Sequence, residues 1–412
     1  MTELHFDFRD VFKAARLGLS GKKMGGSFFG IVVAYLCYLV LTYAALLASG
    51  LGWGTIWRAY KLFPLAMADK FTWYSWVIYG VGIFFAVVVL LLTATAVAKV
   101  SYQQLKGDDF YSLGDSRKFV AKHWKATIFS PIGILVMIVF MFVMALIFGL
   151  LGKIPYVGEL GISIISLLIF GGAFLTLFVG LVLAISLILS PAIAATTGED
   201  TVETITQSFS TIWSQPWRFI VYQGWLAFTL GLSSWVFAIF TVNALGLMQW
   251  FPRFFMGNKL AVMTKEAIAF APTCKTFELI LSKIPYCQCF LPDFSKVPDA
   301  SGTVLVSGVI AGIMLILVIF FAFSYSFATY SAGQTLIYLA LRKKKDNENL
   351  LERKEEEEEE GEEEKKEEKA EEEKPLQREI MSLTGLEAML VDKHGFTPDQ
   401  IIGRLKEMFG ED

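Results

Sequence analysis

Charge is scarce in this chain. Only 18% of its 412 residues are Asp, Glu, Lys or Arg, where a soluble globular protein carries about a quarter. The deficit falls in apolar runs, each longer than the roughly 20 residues a helix needs to cross a bilayer, so a soluble globular protein is excluded. Histidine is scarcer still: His5, His123 and His394, none in a metal-ligand or nucleophile pattern. No Walker-type glycine loop, His-Glu-x-x-His pair or Gly-x-Ser-x-Gly elbow occurs. The apolar runs also lack the Ser–His or paired aspartates of an intramembrane protease. Catalytic residues, a cofactor and a bound metal are therefore not expected, and neither is an enzyme. Cysteine is limited to Cys37 within a span and to Cys274, Cys287 and Cys289 in one loop. In an oxidising compartment the expected disulfide joins Cys274 to Cys287 or Cys289 and leaves one thiol over. Three sulfurs with no nearby histidine make a metal the weaker reading.

What remains is hydrophobic: 55% of the residues, with 15% aromatic. The expected fold is all-α, a polytopic membrane bundle of about six transmembrane helices with cytoplasmic amphipathic helices and an acidic C-terminal tail. The runs place spans over about 27–49, 74–97, 128–151, 161–194, 219–245 and 304–341. Pro131 falls in the first turn of span three, where a missing N–H is harmless. Span four is longer than a perpendicular crossing needs, and tilt or a break near Pro191 would absorb the excess. Trp53, Trp57 and Trp73 mark an aromatic belt and a short interfacial helix between spans one and two. The first residues, 1–9, do not read as a cleavable signal peptide.

Amphipathic helices are expected before three of the hairpins. Asp7 can cap the first, in which Phe8, Val11, Phe12, Ala15 and Leu19 recur at helical spacing; it lies in the membrane interface or packs on its own protein. The second follows the turn Gly107-Asp108-Asp109, with Asp109 as N-cap, and the third follows Gly198-Glu199-Asp200. The latter two copies share Gly, two acids, a helix and a Trp near its end. The first lacks that turn, so the threefold repeat is incomplete, and insertion logic alone could generate such units.

No Asp, Glu, Lys, Arg or His stands in the six span cores, which disfavours an ion-coupled carrier. The most polar core residues singled out are Gln223 and Asn243, read as interhelical hydrogen bonds. Gly308-x-x-x-Gly312 and Gly171-Gly172 permit close helix contact.

Residues 1–345 hold 26 Lys/Arg against 15 Asp/Glu, and residues 346–412 hold 10 against 24. The basic membrane domain is therefore 1–345. Residues 346–375 are read as an acidic Glu/Lys tether, in which the runs Glu355–Glu360 and Glu362–Lys374 have nothing apolar to bury. Residues 376–412 form a small helical module, beginning its last helix at Thr397-Pro398 and presenting Ile401, Ile402, Leu405, Met408 and Phe409 on one face.

Basic residues set the orientation. Five Lys/Arg precede span one, six separate spans two and three, and four follow span six. The connections after spans one and three carry three and one, although the long loop after span five carries six. Both termini are expected in the cytoplasm.

The run Ala98-Lys99-Val100-Ser101-Tyr102-Gln103-Gln104-Leu105-Lys106-Gly107-Asp108, with Gly198-Glu199-Asp200 through Ser208-Phe209-Ser210 to Pro216-Trp217-Arg218, resembles a group of uncharacterised bacterial polytopic membrane proteins. More distantly it is similar to the membrane domains found with glycerophosphodiester phosphodiesterases. The resemblance covers spans two to five and implies a multi-pass protein of the bacterial inner membrane. It implies no activity, and no phosphodiesterase residues are present.

Two functions fit. One is a scaffold or adaptor whose 376–412 module recruits a soluble protein. The other is a permease-like or lipid-handling protein for a neutral or amphiphilic substrate. The bilayer is the first partner in either; nucleic acid is not expected.

Overall fold

A computed structural model of the chain describes residues 4–64, 71–270 and 302–352. Among these every regular element is a helix, and six helices are long and apolar enough to cross a membrane. The chain divides into two compact units, Met1–Leu351 and Glu352–Asp412. All but the first residue of the second lies outside the described residues, and so does the expected module face Ile401, Ile402, Leu405, Met408 and Phe409.

The order is α1 (Phe8–Val11), α2 (Lys13–Gly18), α3 (Gly21–Ala48), α4 (Trp53–Tyr60), α5 (Trp73–Lys106), α6 (Leu113–Leu151), α7 (Val157–Ile164), α8 (Ser166–Thr197), α9 (Thr201–Ser214), α10 (Pro216–Met256), α11 (Asn258–Phe270) and α12 (Thr303–Asp346). The six long helices α3, α5, α6, α8, α10 and α12 are the candidate spans. Helix ends follow local chemistry. Gly107 closes α5 in the left-handed region at φ 107°. Its N–H reaches the Gln104 carbonyl at 3.2 Å, while that of Asp108 reaches Gln103 at 3.0 Å, the paired bonds of a Schellman end. Gly198 closes α8 in the same region, at φ 67°.

α6 departs from expectation. Its N-cap is Ser112, whose hydroxyl accepts from the Asp115 N–H at 3.1 Å and donates to the Asp115 carboxylate at 2.5 Å. Asp109 does not cap it. The second surface helix and span three are one continuous element, because beyond Gly114 in its first turn no Gly or Pro interrupts 115–130 and the apolar run begins in phase. Pro131 therefore sits inside a helix, and its missing N–H orphans the carbonyl of Thr127 one turn back. Ser190 of α8 donates its hydroxyl to that carbonyl at 3.4 Å. Ser130 meets Ser186 at 3.1 Å beside it. The expected break at Pro191 is absent, since α8 runs through it to Thr197. The third surface helix, α9, stands as a separate element, so the second and third copies of the unit are not alike. The loop expected after residue 245 is helical at its start, where α10 continues to Met256 and α11 follows.

α12 is the axis of the bundle. From Ala328 to Leu341 it is buried, apart from half-buried Tyr330, and it touches α2, α3, α5, α8 and α10. The largest cluster of buried side chains brings Leu336–Leu341 against Val11 and Ala14, Tyr102 and Leu105, Val182 to Ile193, and Tyr222 and Leu226. α1 and α2 thus pack on the protein: Phe8 stacks on Trp225 of α10 at 5.6 Å. The outer part of the α6–α8 hairpin, by contrast, exposes Phe140, Phe142, Leu146, Phe170 and Phe174. Such faces suit a hydrocarbon solvent, which opposes apolar exposure no more than a core does.

Candidate functional site

A groove of about 510 Å³ opens roughly halfway along four helices. Its lining is Ile31, Ala34, Tyr35 and Tyr38 from α3, Ala86 and Leu90 from α5, Leu230 from α10, and Phe323, Ser326, Phe327 and Tyr330 from α12. Small residues make room for it: Ala34 and Ala86 leave space where a Leu would close the gap. α3 and α5 stay together on either side of the groove through Gly30, on which an added Cβ would lie 2.8 Å from the Thr93 Cβ. On the α10–α12 side, Ser326 donates to Ser234 at 2.8 Å, and Phe237 stacks on Tyr325 at 4.6 Å.

The two α3 tyrosines are held by a strap. After α3 ends, α4 turns back along it, with Ile56 buried against Tyr43 and Leu46. The chain then reaches Lys61–Pro64, where three tyrosines of α3 meet it. The Tyr43 hydroxyl donates to the Lys61 carbonyl and that of Tyr35 to the Leu62 carbonyl. Tyr38 donates to the Pro64 carbonyl at 2.7 Å. Tyr35 lies 13 residues from the end of α3, about 20 Å along its axis. Irregular backbone beside an apolar span must have its polar groups satisfied by protein. Here phenol hydroxyls satisfy three carbonyls, and Pro64 brings no N–H to satisfy. The Tyr35 ring is packed between Phe63 at 5.6 Å and Phe320 at 5.0 Å.

A second polar set lies toward the end of the bundle where α3 begins. Gln223 of α10 and Gln334 of α12 exchange amide bonds at 2.7 and 3.0 Å. Lys23, fully buried, donates to the Leu17 carbonyl at 2.9 Å and to Gln104 at 2.7 Å, tying the α2–α3 turn to α5. Lys99 lies 4.1 Å from the centre of the Phe119 ring.

The residues singled out by sequence scatter. Gln223 bridges helices, whereas Asn243 donates to the Ile239 carbonyl of its own helix at 2.8 Å. Gly107 and Gly198 end helices. Asp108 accepts from the N–H groups of Phe110 and Tyr111 at 3.0 Å each, while the Asp109 carbonyl receives Lys22 at 3.1 Å. The N–H of Glu199 contacts the Thr197 hydroxyl at 3.4 Å, and Asp200 precedes α9 without a side-chain cap. These turn residues are spread over two loops and do not form one pocket. Cys274, Cys287 and Cys289 lie outside the described residues. Sequence reasoning passed over Tyr35, Tyr38 and Gln334. The usable signal was a pair of tyrosines at i, i+3 within an apolar run, two hydroxyls that hydrocarbon cannot satisfy.

No family model, curated protein or solved structure matches the chain.

Proposed function

We propose that this is a lipid-handling membrane protein whose groove takes one hydrocarbon chain of a neutral or amphiphilic bilayer molecule. The observation that carries the reading is a groove of about 510 Å³ placed midway along four apolar helices. That volume falls within the roughly 300–1,000 Å³ of small-molecule sites. At such a position hydrocarbon chains are the molecules at hand, and the lining presents no charge to repel them. Small residues on α3 and α5 face large ones on α12, which suits a flexible chain rather than a rigid ring system. The scaffold reading rests on residues 376–412, which lie outside the described residues.

The basic residues Lys22, Lys106, Arg218 and Arg342–Lys345 stand at the ends of the candidate spans that are read as cytoplasmic, supporting an orientation with both termini inside. The resemblance of the inner segments supports the bacterial inner membrane. An alkaline phosphatase fused after Asp412 is expected to be inactive; periplasmic activity would reverse the orientation.

Filling the groove tests the function. The full chain, reconstituted in nanodiscs of bacterial phospholipid, is purified and its retained lipid extracted and quantified. Ala34→Trp and Leu230→Trp are expected to lower retained lipid about tenfold, a loss of about 1.4 kcal/mol of binding. Val81→Trp, on an exposed face of α5, is expected to change nothing. Equal retention by all four proteins would refute a chain-binding groove.

A further inference from the structure

Tyr35 and Tyr38 both line the groove and both spend their hydroxyls on strap carbonyls. They stand three residues apart, on one face of α3. Each is thus a donor pointed at a neutral acceptor oxygen at the edge of an apolar channel. The strap that supplies those oxygens is not a relaxed turn: Lys61 has φ 46° and ψ −121°, a region that residues with a Cβ rarely occupy. Its hold on α3 includes the three tyrosine bonds and the packing of Phe63 on Tyr35; within the strap, the N–H of Lys61 reaches Trp57 at 3.1 Å and that of Phe63 reaches Tyr60 at 2.9 Å.

We propose that the strap carbonyls of Leu62 and Pro64 occupy the polar end of the binding site, and that Tyr35 and Tyr38 select substrates bearing two neutral carbonyl acceptors beside a hydrocarbon chain, the pattern of a diacyl lipid ester. This deepens the lipid-handling reading and rests on it. A bound ester places its carbonyls where those of the strap now lie. The strap carbonyls, withdrawn toward the outer end of α3, meet water or headgroups. A charged headgroup is not what these donors read, because a phenol hydroxyl offers one hydrogen bond and no charge. A molecule with no acceptor cannot take the place of the strap carbonyls: to displace the strap it would leave both hydroxyls unpaired in an apolar site, the situation in which a polar site discriminates most strongly.

The test compares two probes of equal shape: a dioleoylglycerol and its dialkyl-ether analogue, which keeps both chains and lacks both carbonyls. Each is titrated into the full chain in detergent micelles, and binding is read by a change in intrinsic fluorescence or by competition. The wild type is expected to prefer the ester about tenfold. Tyr35→Phe and Tyr38→Phe each weaken that preference, and the double variant loses it while ether binding stays as it was. Tyr43→Phe loosens the strap without touching the groove lining, and it keeps the preference. If the wild type binds both lipids equally, or if Y35F/Y38F retains the preference, the selection is overturned while the chain-binding groove stands. A fall in both lipids alike in Y35F/Y38F assigns the tyrosines a structural role and overturns it too. If the wild type binds neither lipid, both this inference and the reading beneath it fail.

Discussion

Asp7 makes no capping bond to α1. Its carboxylate instead pairs with Lys344, 337 positions later, at the far end of α12. The bond from Lys344, then its charge, holds the Asp7 carboxyl below the ordinary carboxylate range. A depressed acid contributes stability above its unfolded pKa of about 3.9 and loses it as pH falls through the lower folded value. Asp7→Asn should therefore loosen, without releasing, the N-terminal helices at neutral pH, and protease or hydrogen exchange at residues 8–18 should report it. The difference from wild type is expected to stay constant from pH 8 to about 5, to shrink as the pH falls below the unfolded carboxylate value, and to vanish only below the lowered folded value. A difference that grew in acid would show that another group holds the segment. The sequence offered Asp7 as a cap because Asp before an apolar helical stretch is what a cap looks like. Its partner lies across all six candidate spans, at the end of the last, where no local pattern reaches. Gln334 escaped for the same reason as Tyr35: among scattered Ser and Thr its polarity does not stand out, and only the facing Gln223 gives it meaning.

Among the helices, close approach is set by single positions. On Gly30 a methyl group would run into Thr93, a β-branched side chain whose χ1 is stiff and whose hydroxyl is committed to the Val89 carbonyl at 2.7 Å. Gly171 of α8 has nothing within 4 Å of an added Cβ. The same substitution should act in opposite directions at the two sites. Gly30→Ala is expected to destabilise by about 1–3 kcal/mol through overpacking. Gly171→Ala should be neutral or stabilising by up to about 1 kcal/mol, the difference in helix propensity. Thermal unfolding in one detergent measures both, and equal effects would deny that α3 and α5 meet at Gly30. Helix existence was legible because an apolar run of more than 20 residues can form nothing else in a bilayer. Boundaries were less so. α6 absorbed a surface helix because its basic first turns and its apolar length share one unbroken helical phase. Pro191, read as a break, is carried through α8, just as Pro131 is carried through α6 with Ser190 covering the carbonyl it orphans.

At the scale of the molecule, the all-helical architecture with six candidate spans was readable from composition and run length alone. The groove was not. It arises from the meeting of α3, α5, α10 and α12 at their midpoints, and which spans become neighbours is not encoded in any one of them. Small residues at 34 and 86 could be seen, but not that they face each other across the same gap. The strap was still less visible, since the stretch between spans one and two reads as an aromatic belt with a short interfacial helix until three tyrosines are found holding its end.

The central place of α12 bears on how the molecule is made. Five candidate spans leave the ribosome before the helix that most of them lean on, so their inward faces, with the Gln223 amide among them, must wait in lipid without the partner that completes them. Assembly is then a late event, triggered by the arrival of Thr303–Asp346, and an insertase or chaperone that shelters polar faces would matter most during that interval. Translation halted short of this helix would yield an inserted protein with no centre, a natural substrate for membrane proteolysis.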